Sequence, residues 1–124
     1  MSAFQRALMD FLGQLSLPVH LTGLTPDASH FPYLTCTMGC PPFAGQTLLT
    51  ATAWFLGGDA NAERAVLCDQ AQRLIPEGGT QLTFSGGGCV IHRAGGDFIT
   101  LLTDGEDPRV LGARIRLTVK LYDL

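Results

Sequence analysis

The fold is decided by the stretch Arg114-Ile115-Arg116-Leu117-Thr118-Val119-Lys120-Leu121-Tyr122, in which apolar and polar residues alternate. Ile115, Leu117, Val119 and Leu121 face one way, and the intervening residues face the other. A period of two residues is that of a β-strand with one face against a core. The chain is therefore expected to be built around a sheet with one buried face.

Other stretches rich in β-branched and apolar residues predict further strands. They are Val19–Leu21, Tyr33–Met38, Thr47–Phe55, Thr80–Phe84, Cys89–Arg93 and Phe98–Thr103. The last two are expected to form a hairpin around Ala94-Gly95-Gly96-Asp97, and Ser85–Gly88 a flexible break. The stretch 47–55 is largely uncharged on both faces, which predicts a strand that is central or covered on both sides.

Two stretches have the apolar spacing of helices. The first begins after Ser2, a candidate N-cap with Gln5 three residues later, and ends before Pro18. The second has Asp59 or Asn61 as a candidate cap and ends at Ile75, before Pro76. Their apolar stripes are Phe4, Ala7, Leu8, Phe11, Leu12 and Leu15 in the first, and Arg64, Leu67, Cys68, Ala71, Leu74 and Ile75 in the second.

Together these elements predict an α+β fold. We expect a mostly antiparallel sheet of about four to six strands, with an N-terminal helix and one crossing helix packed on one face. The 124 residues fit a single domain, 1–124. Within it, the first helix spans about residues 2–15, and the sheet with the second helix spans about residues 33–122.

Charge and hydropathy narrow the classes of partner. The net charge is −3, and the eight basic residues are scattered, apart from Arg109, Arg114, Arg116 and Lys120. No nucleic-acid specificity is therefore expected. No stretch has the roughly 20 apolar residues of a membrane span, and the N-terminus lacks the apolar core of a secretory signal. We expect a protein that stays in the cytoplasm where it is made, without membrane contact.

The polar face of the last predicted strand carries Arg114, Arg116 and Lys120. The simpler interpretation is a solvated sheet face. The alternative is a basic strip that meets an acidic partner surface, such as the loop 104–107 of a neighbouring copy. Trp54 has two interpretations as well, a core residue or an interface anchor on the less covered face.

The residues that could carry chemistry do not form a recognisable catalytic or metal motif. Cys36, Cys40, Cys89 and His92 could supply four zinc ligands, but Cys36 and Cys89 are better interpreted as core residues of strands. A cysteine nucleophile would need a base such as His20, His30 or His92 in a local signature, which is missing. Gly86–Gly88 precedes a strand rather than the helix of a phosphate loop. The acidic residues around Asp104 lack calcium-loop spacing.

We therefore predict no catalytic, cofactor-binding or metal-binding residues, and no enzyme. In a reducing cytoplasm the four cysteines (Cys36, Cys40, Cys68 and Cys89) are expected to be thiols that behave as small apolar residues. Sequence alone leaves open whether they bind metal or become oxidised.

An ordered series of short motifs carries a family resemblance. It runs through Phe31–Thr35, Ala53–Phe55, Leu74–Gly79, Val90–Arg93, Asp104 with Asp107, and Val119–Tyr122. In this order the chain resembles small minor structural proteins of long-tailed phages and prophages, of the tail-completion or tail-terminator-like kind. The resemblance covers roughly residues 31–122, and the four cysteines depart from the family pattern.

The resemblance implies a role in virion assembly. A tail-terminator-like protein forms a ring of identical copies, for example six, at the head-proximal end of the tail. Its partners would be tail-tube and head-connector proteins, and its location the host cytoplasm during assembly and then the virion tail. Two alternatives stay open: a head–tail connector or minor capsid protein of the same gene cassette, and a small cysteine-dependent enzyme or zinc protein.

Overall fold

The centre of the fold is a 14-residue strand, Val110–Asp123, which contains the alternating stretch. The computed structural model describes residues 3–15, 19–21, 31–38 and 46–123. In chain order, the described elements are α1 (Ala3–Leu12) with a short 3-10 turn (Gly13–Leu15), β1 (Val19–Leu21), β2 (Tyr33–Met38), β3 (Gln46–Leu56), α2 (Ala60–Leu74), β4 (Thr80–Phe84), β5 (Gly87–Arg93), β6 (Ile99–Thr103) and β7 (Val110–Asp123).

All seven strands belong to one sheet. β7 pairs with β3 along one edge, from Val110 opposite Leu56 to Lys120 opposite Gln46. β2 continues the sheet beyond β3, and the short β1 adds to β2 in parallel. Every other pairing is antiparallel. The predicted α+β class and mostly antiparallel sheet are confirmed, with β1 as a short addition to six antiparallel strands.

The predicted hairpin around residues 94–97 is wrong. β5 and β6 do not pair with each other, because both lie antiparallel to β7, one after the other along its second edge. Arg93 is opposite Leu117 and Ile99 is opposite Ile115, so residues 94–98 bulge out opposite Arg116 alone. The Arg116 backbone closes this gap, since its N–H donates to Phe98 and its carbonyl accepts from Ala94.

The actual hairpin joins β4 to β5, where the sequence predicts a flexible break. Phe84 pairs with Gly87, which leaves Ser85 and Gly86 as a two-residue turn. Gly86 has a φ of +88°, a conformation that the turn requires and that glycine adopts without strain. Gly87 and Gly88 are strand residues, and both are buried.

Both helices pack on one face of the sheet, as predicted. The buried core contains Leu8 and Leu12 of α1, Leu67 and Ala71 of α2, and alternate residues of the strands. Those strand residues are Leu34, Cys36, Leu49, Ala51, Ala53, Phe55, Cys89, Ile91, Ala113, Ile115, Leu117 and Val119. The periodicity of two in the sequence therefore identifies the face of the sheet that meets the helices.

The predicted helix caps are not confirmed. Asp59 occupies the position before α2 but its side chain makes no capping hydrogen bond, and Asn61 lies within the helix. The carbonyl of Asp59 accepts the backbone N–H of Glu63 instead. Ser2, the candidate cap of α1, lies outside the described residues. Among the described residues, no helix has both the length and the apolar character that crossing a membrane requires.

Candidate interaction surface

The second face of the sheet, opposite the helices, carries the even-numbered residues of β3 and β7. We call it the open face, because no described helix packs on it. The odd-numbered residues of both strands contribute to the core, whereas Leu48 on the open face is 41% exposed. The prediction that the stretch 47–55 is a central strand, or one covered on both sides, is confirmed in its first form, because β3 pairs with β2 and with β7. Helices cover one of its faces, and the other face keeps exposed residues such as Leu48.

Two aromatic rings lie on the open face above glycines of the neighbouring strand. Trp54 is opposite Gly112, and a Cβ at Gly112 would stand 2.7 Å from atoms of the indole ring. Tyr122 is opposite Gly88, where a Cβ would stand 2.6 Å from the phenol ring. The glycines thus let both rings lie close to the backbone. Trp54 is half-buried and outside the core, which favours its interpretation as an interface anchor.

Threonines and three cations fill the middle of the open face. Cross-strand pairing places Arg114 between Thr52 and Thr100, and Arg116 opposite Thr50. Lys120 follows on the same face and is exposed. We call Arg114, Arg116 and Lys120 the basic strip. The alternation in the sequence predicts this placement correctly.

The other cations of the sheet and α2 already have partners. Arg64 donates to the carbonyls of Leu102 and Gly112, and Arg93 donates to those of Ile75 and Gln72. Arg73 pairs with Asp69 at 2.9 Å, and Arg109 pairs with Asp107 at 3.0 Å. No described acidic group pairs with any member of the basic strip.

Arg114 also contains a buried polar atom without a partner. Its Nε has no access to solvent and, within the described chain, no hydrogen-bond acceptor. The hydroxyl of Thr100, its cross-strand neighbour, is also buried and has no hydrogen-bond partner within the described chain. An unsatisfied buried donor destabilises a protein by about 1–3 kcal/mol, and more when the group is charged.

A group of carboxylates lies at the end of the sheet where β7 begins. Asp104, Glu106 and Asp107 belong to the β6–β7 turn, and Asp59 and Glu63 lie at the start of α2. A hydrogen bond from Gly57 N–H to the Arg109 carbonyl joins the turn to the segment before α2. We call Asp59, Asp104 and Glu106 the acidic end.

Asp107 is the one carboxylate of the β6–β7 turn that pairs with a cation, Arg109. Its oxygens accept from the Arg109 backbone N–H, Nε and a terminal nitrogen. These hydrogen bonds hold the pKa of Asp107 below its usual value. Asp104 accepts from the Glu106 backbone N–H at 2.8 Å, which shapes the turn. Burial, and then the negative charge of Asp104, raise the pKa of Tyr33 on the open face.

The candidate zinc ligands that the structure describes, Cys36, Cys89 and His92, do not come together. Cys36 and Cys89 are core residues on the helix-covered face. His92 is exposed and three residues from Cys89 on β5, so the two side chains point to opposite faces of the sheet. Cys40 and His30 lie outside the described residues, and within the described chain no three potential ligands cluster.

The three described cysteines are buried or half-buried thiols rather than disulfides. Burial raises the pKa of Cys36 to about 11. It raises the pKa of Cys68 and of Cys89 as well. Cys68 lines a groove of about 490 Å³ between α2 and β6, together with Arg64, whose charge opposes the rise in its pKa. Raised pKa values disfavour the thiolate that a cysteine nucleophile needs.

Comparison with known proteins shows the fold and no family. No family model matches the chain, and no curated protein matches it. Among solved structures, one protein whose name describes no function matches with a TM-score of 0.63 and 15% identity. The match covers 98% of this chain and 92% of that protein. The arrangement of the two helices and the sheet is therefore shared with another protein along almost the whole length of both.

Proposed function

We propose that this chain is a structural protein of a phage or prophage tail, of the tail-terminator or tail-completion kind. In this role it would assemble into a ring at the head-proximal end of the tail. It would act by binding copies of itself, the tail tube and the head connector, rather than by catalysis. It would be made in the cytoplasm of the bacterial host and end in the virion tail.

The observation that carries the proposal is the open face of the sheet. Helices shield one face, whereas the other presents Trp54 and Tyr122 beside a basic strip with no described partner. Aromatic and arginine side chains are enriched in protein interfaces. A surface of this composition favours a binding role, and the ordered motif series through residues 31–122 indicates which kind of assembly.

The alternatives differ in what supports them. A head–tail connector or minor capsid protein of the same cassette would use the same surface, so only its position in the particle separates it from a tail protein. A cysteine-dependent enzyme or zinc protein receives less support, because His92 lies on the opposite face from Cys89 and burial raises the pKa of the described thiols.

The proposal predicts a defect in joining tails to heads. Deleting the gene from an inducible prophage should give heads and free tails of irregular length in negatively stained lysates. A plasmid copy should restore joined virions, whereas a Trp54→Glu copy of equal abundance should not. A matched Val66→Glu copy, altered at a residue on α2 that is 57% exposed, should restore them. Normal virions from the deletion strain would contradict the proposal.

A further inference from the structure

The cations of α2 and of the β6–β7 turn have partners in the described chain, whereas those of the open face do not. Each cation of α2 and of the β6–β7 turn contacts a carboxylate or a backbone carbonyl. Among the described residues, no carboxylate or backbone carbonyl contacts the side chains of the basic strip. The basic strip can therefore bind negatively charged groups of another molecule.

The same chain carries a matching surface that is also uncompensated. In the acidic end, Asp104 accepts one backbone hydrogen bond, and Glu106 is exposed. No described lysine or arginine pairs with either side chain, because Arg109 is engaged by Asp107. Asp59, exposed before α2, adds a third charge in the segment that the hydrogen bond from Gly57 to Arg109 joins to this turn.

Each of the two surfaces presents two side chains of like charge that are two residues apart in the sequence. Arg114 and Arg116 are two residues apart on one face of β7, which corresponds to about 7 Å. Asp104 and Glu106 are also two residues apart, in a turn that a hydrogen bond of 2.8 Å holds in shape. A guanidinium binds a carboxylate through two parallel hydrogen bonds, so each arginine can receive one acidic side chain.

The two surfaces can be used by one copy at the same time. The basic strip lies along the middle of the open face, with Arg114 to Arg116 opposite Thr52 to Thr50. The acidic end lies beyond the row that Trp54 forms with Gly112. Where a copy offers its acidic end to one neighbour and its basic strip to another, the contact is head-to-tail, and its repetition gives a ring if the rotation closes.

We infer that the acidic end of one copy docks on the basic strip of the next copy, with Asp104 and Glu106 facing Arg114 and Arg116. This inference deepens the proposed function, on which its biological setting rests, by naming the contact through which the chain binds itself. The partner is a second copy because both halves of the contact are present, and unpaired, in one chain. Trp54, in the row between them, would become buried in the contact.

Complementary charge reversal tests this contact in solution. The first variant combines Arg114→Glu with Arg116→Glu, and the second combines Asp104→Lys with Glu106→Lys. Each variant repels itself, but an equimolar mixture restores opposite charges at every contact. Sedimentation velocity in low salt should show wild-type assemblies that dissociate as salt is added. Each variant on its own should associate at least tenfold more weakly than the wild type, and the equimolar mixture should associate again.

Matched controls separate the contact from net charge and from folding. Arg6→Glu with Arg73→Glu makes the same change in net charge on exposed helix residues and should associate like the wild type. If Arg114→Glu unfolds the chain, Arg116→Glu with Lys120→Glu replaces it, since Lys120 is exposed. Thermal unfolding of each variant verifies the fold.

Several outcomes would overturn the inference. They are a wild-type chain that stays monomeric at millimolar concentration in low salt, a variant that associates like the wild type, and a mixture that does not associate. A monomeric wild type that binds a single-stranded DNA oligonucleotide through Arg114 and Arg116 would assign the strip to nucleic acid instead. These results are independent of the virion phenotype, so failure of the contact and failure of the tail role are distinguishable.

Discussion

At the scale of single residues, the sheet combines a buried face with one aromatic ring, that of Trp54, which lies close to the backbone at Gly112. The alternation in residues 114–122 places Ile115, Leu117 and Val119 in the core correctly. It does not reveal that Trp54 lies above Gly112, because that contact depends on the register of β3 against β7. Registers between strands distant in the chain are set by packing and loop geometry together, which a single sequence does not specify.

The cysteines illustrate the same limit. Their strand positions predict that Cys36 and Cys89 are core residues, and the structure confirms this. The candidate zinc set fails because a separation of three residues on a strand puts Cys89 and His92 on opposite faces. The opposite orientation of Cys89 and His92 follows from the assignment of residues 89–93 to one strand, which the sequence already indicates.

Burial of Cys36 predicts a loss of stability at alkaline pH. Its pKa is about 11 in the folded chain against an ordinary 9.0. The unfolded chain therefore releases this proton first, and the stabilising effect, fully present below pH 9, is lost as the pH rises to about 11. The loss for this group is at most about 2–3 kcal/mol.

The measurement is urea unfolding of wild type and Cys36→Ala at pH 8 and at pH 10.5. The variant should be less stable at pH 8, since it leaves a small cavity, and the difference should shrink at pH 10.5. Cys68→Ala is the control, because Cys68 is only half-buried and should change the pH dependence less. Parallel pH dependences for wild type and Cys36→Ala would contradict the prediction.

At the scale of elements, Arg93 connects the end of α2 to the sheet. Its Nε donates to the Ile75 carbonyl at 2.8 Å, and a terminal nitrogen donates to the Gln72 carbonyl at 3.2 Å. Its guanidinium lies 4.5 Å from the centre of the Phe98 ring, in the bulge between β5 and β6. One side chain therefore satisfies two carbonyls at a helix C-terminus and packs on the bulge.

We expect Arg93→Ala to destabilise the fold by about 2–3 kcal/mol, because two carbonyls lose a charged donor and Phe98 loses its cation. Arg93→Lys should recover only part of this, since an ammonium lacks the planar fork of a guanidinium. Arg73→Ala is the matched control: its side chain is 80% exposed and pairs with Asp69 four residues earlier, which is worth less than about 1 kcal/mol. Equal midpoints of chemical denaturation for Arg93→Ala and Arg73→Ala would contradict this account.

The hairpin that the sequence predicts wrongly belongs to this scale too. Residues 94–97 combine two glycines with an aspartate between two β-like stretches, which is typical of a hairpin turn. The length of β7 decides otherwise, since its 14 residues offer enough edge for β5 and β6 in succession. Local turn chemistry cannot indicate that a distant strand is long enough to pair with both.

At the scale of the whole molecule, the central strands of the sheet differ from its outer strands in the protection of their backbone N–H groups. β3 and β7 each have a partner on both sides, whereas the outer edge of β6 pairs with no described strand. The hydrogen bonds from Arg116 to Phe98 and from Asp104 to Val110 fix the ladder of β6. Since inward and outward groups alternate, the backbone N–H groups of Ile99, Leu101 and Thr103 point outward.

This asymmetry predicts the order of amide hydrogen exchange. In the monomeric Arg114→Glu with Arg116→Glu variant, the amides of Ala51 and Ala53 in β3 and Ile115 in β7 should exchange slowest, at the rate of global unfolding. The Leu101 amide should exchange at least a hundredfold faster, because no described strand protects it. The readout is exchange followed residue by residue by NMR. Leu102 is the internal control, because its backbone N–H points toward β7 on the same strand. A Leu101 amide as protected as that of Ile115 would mean that β6 is not an edge in solution, and would contradict the strand order on which the open face depends.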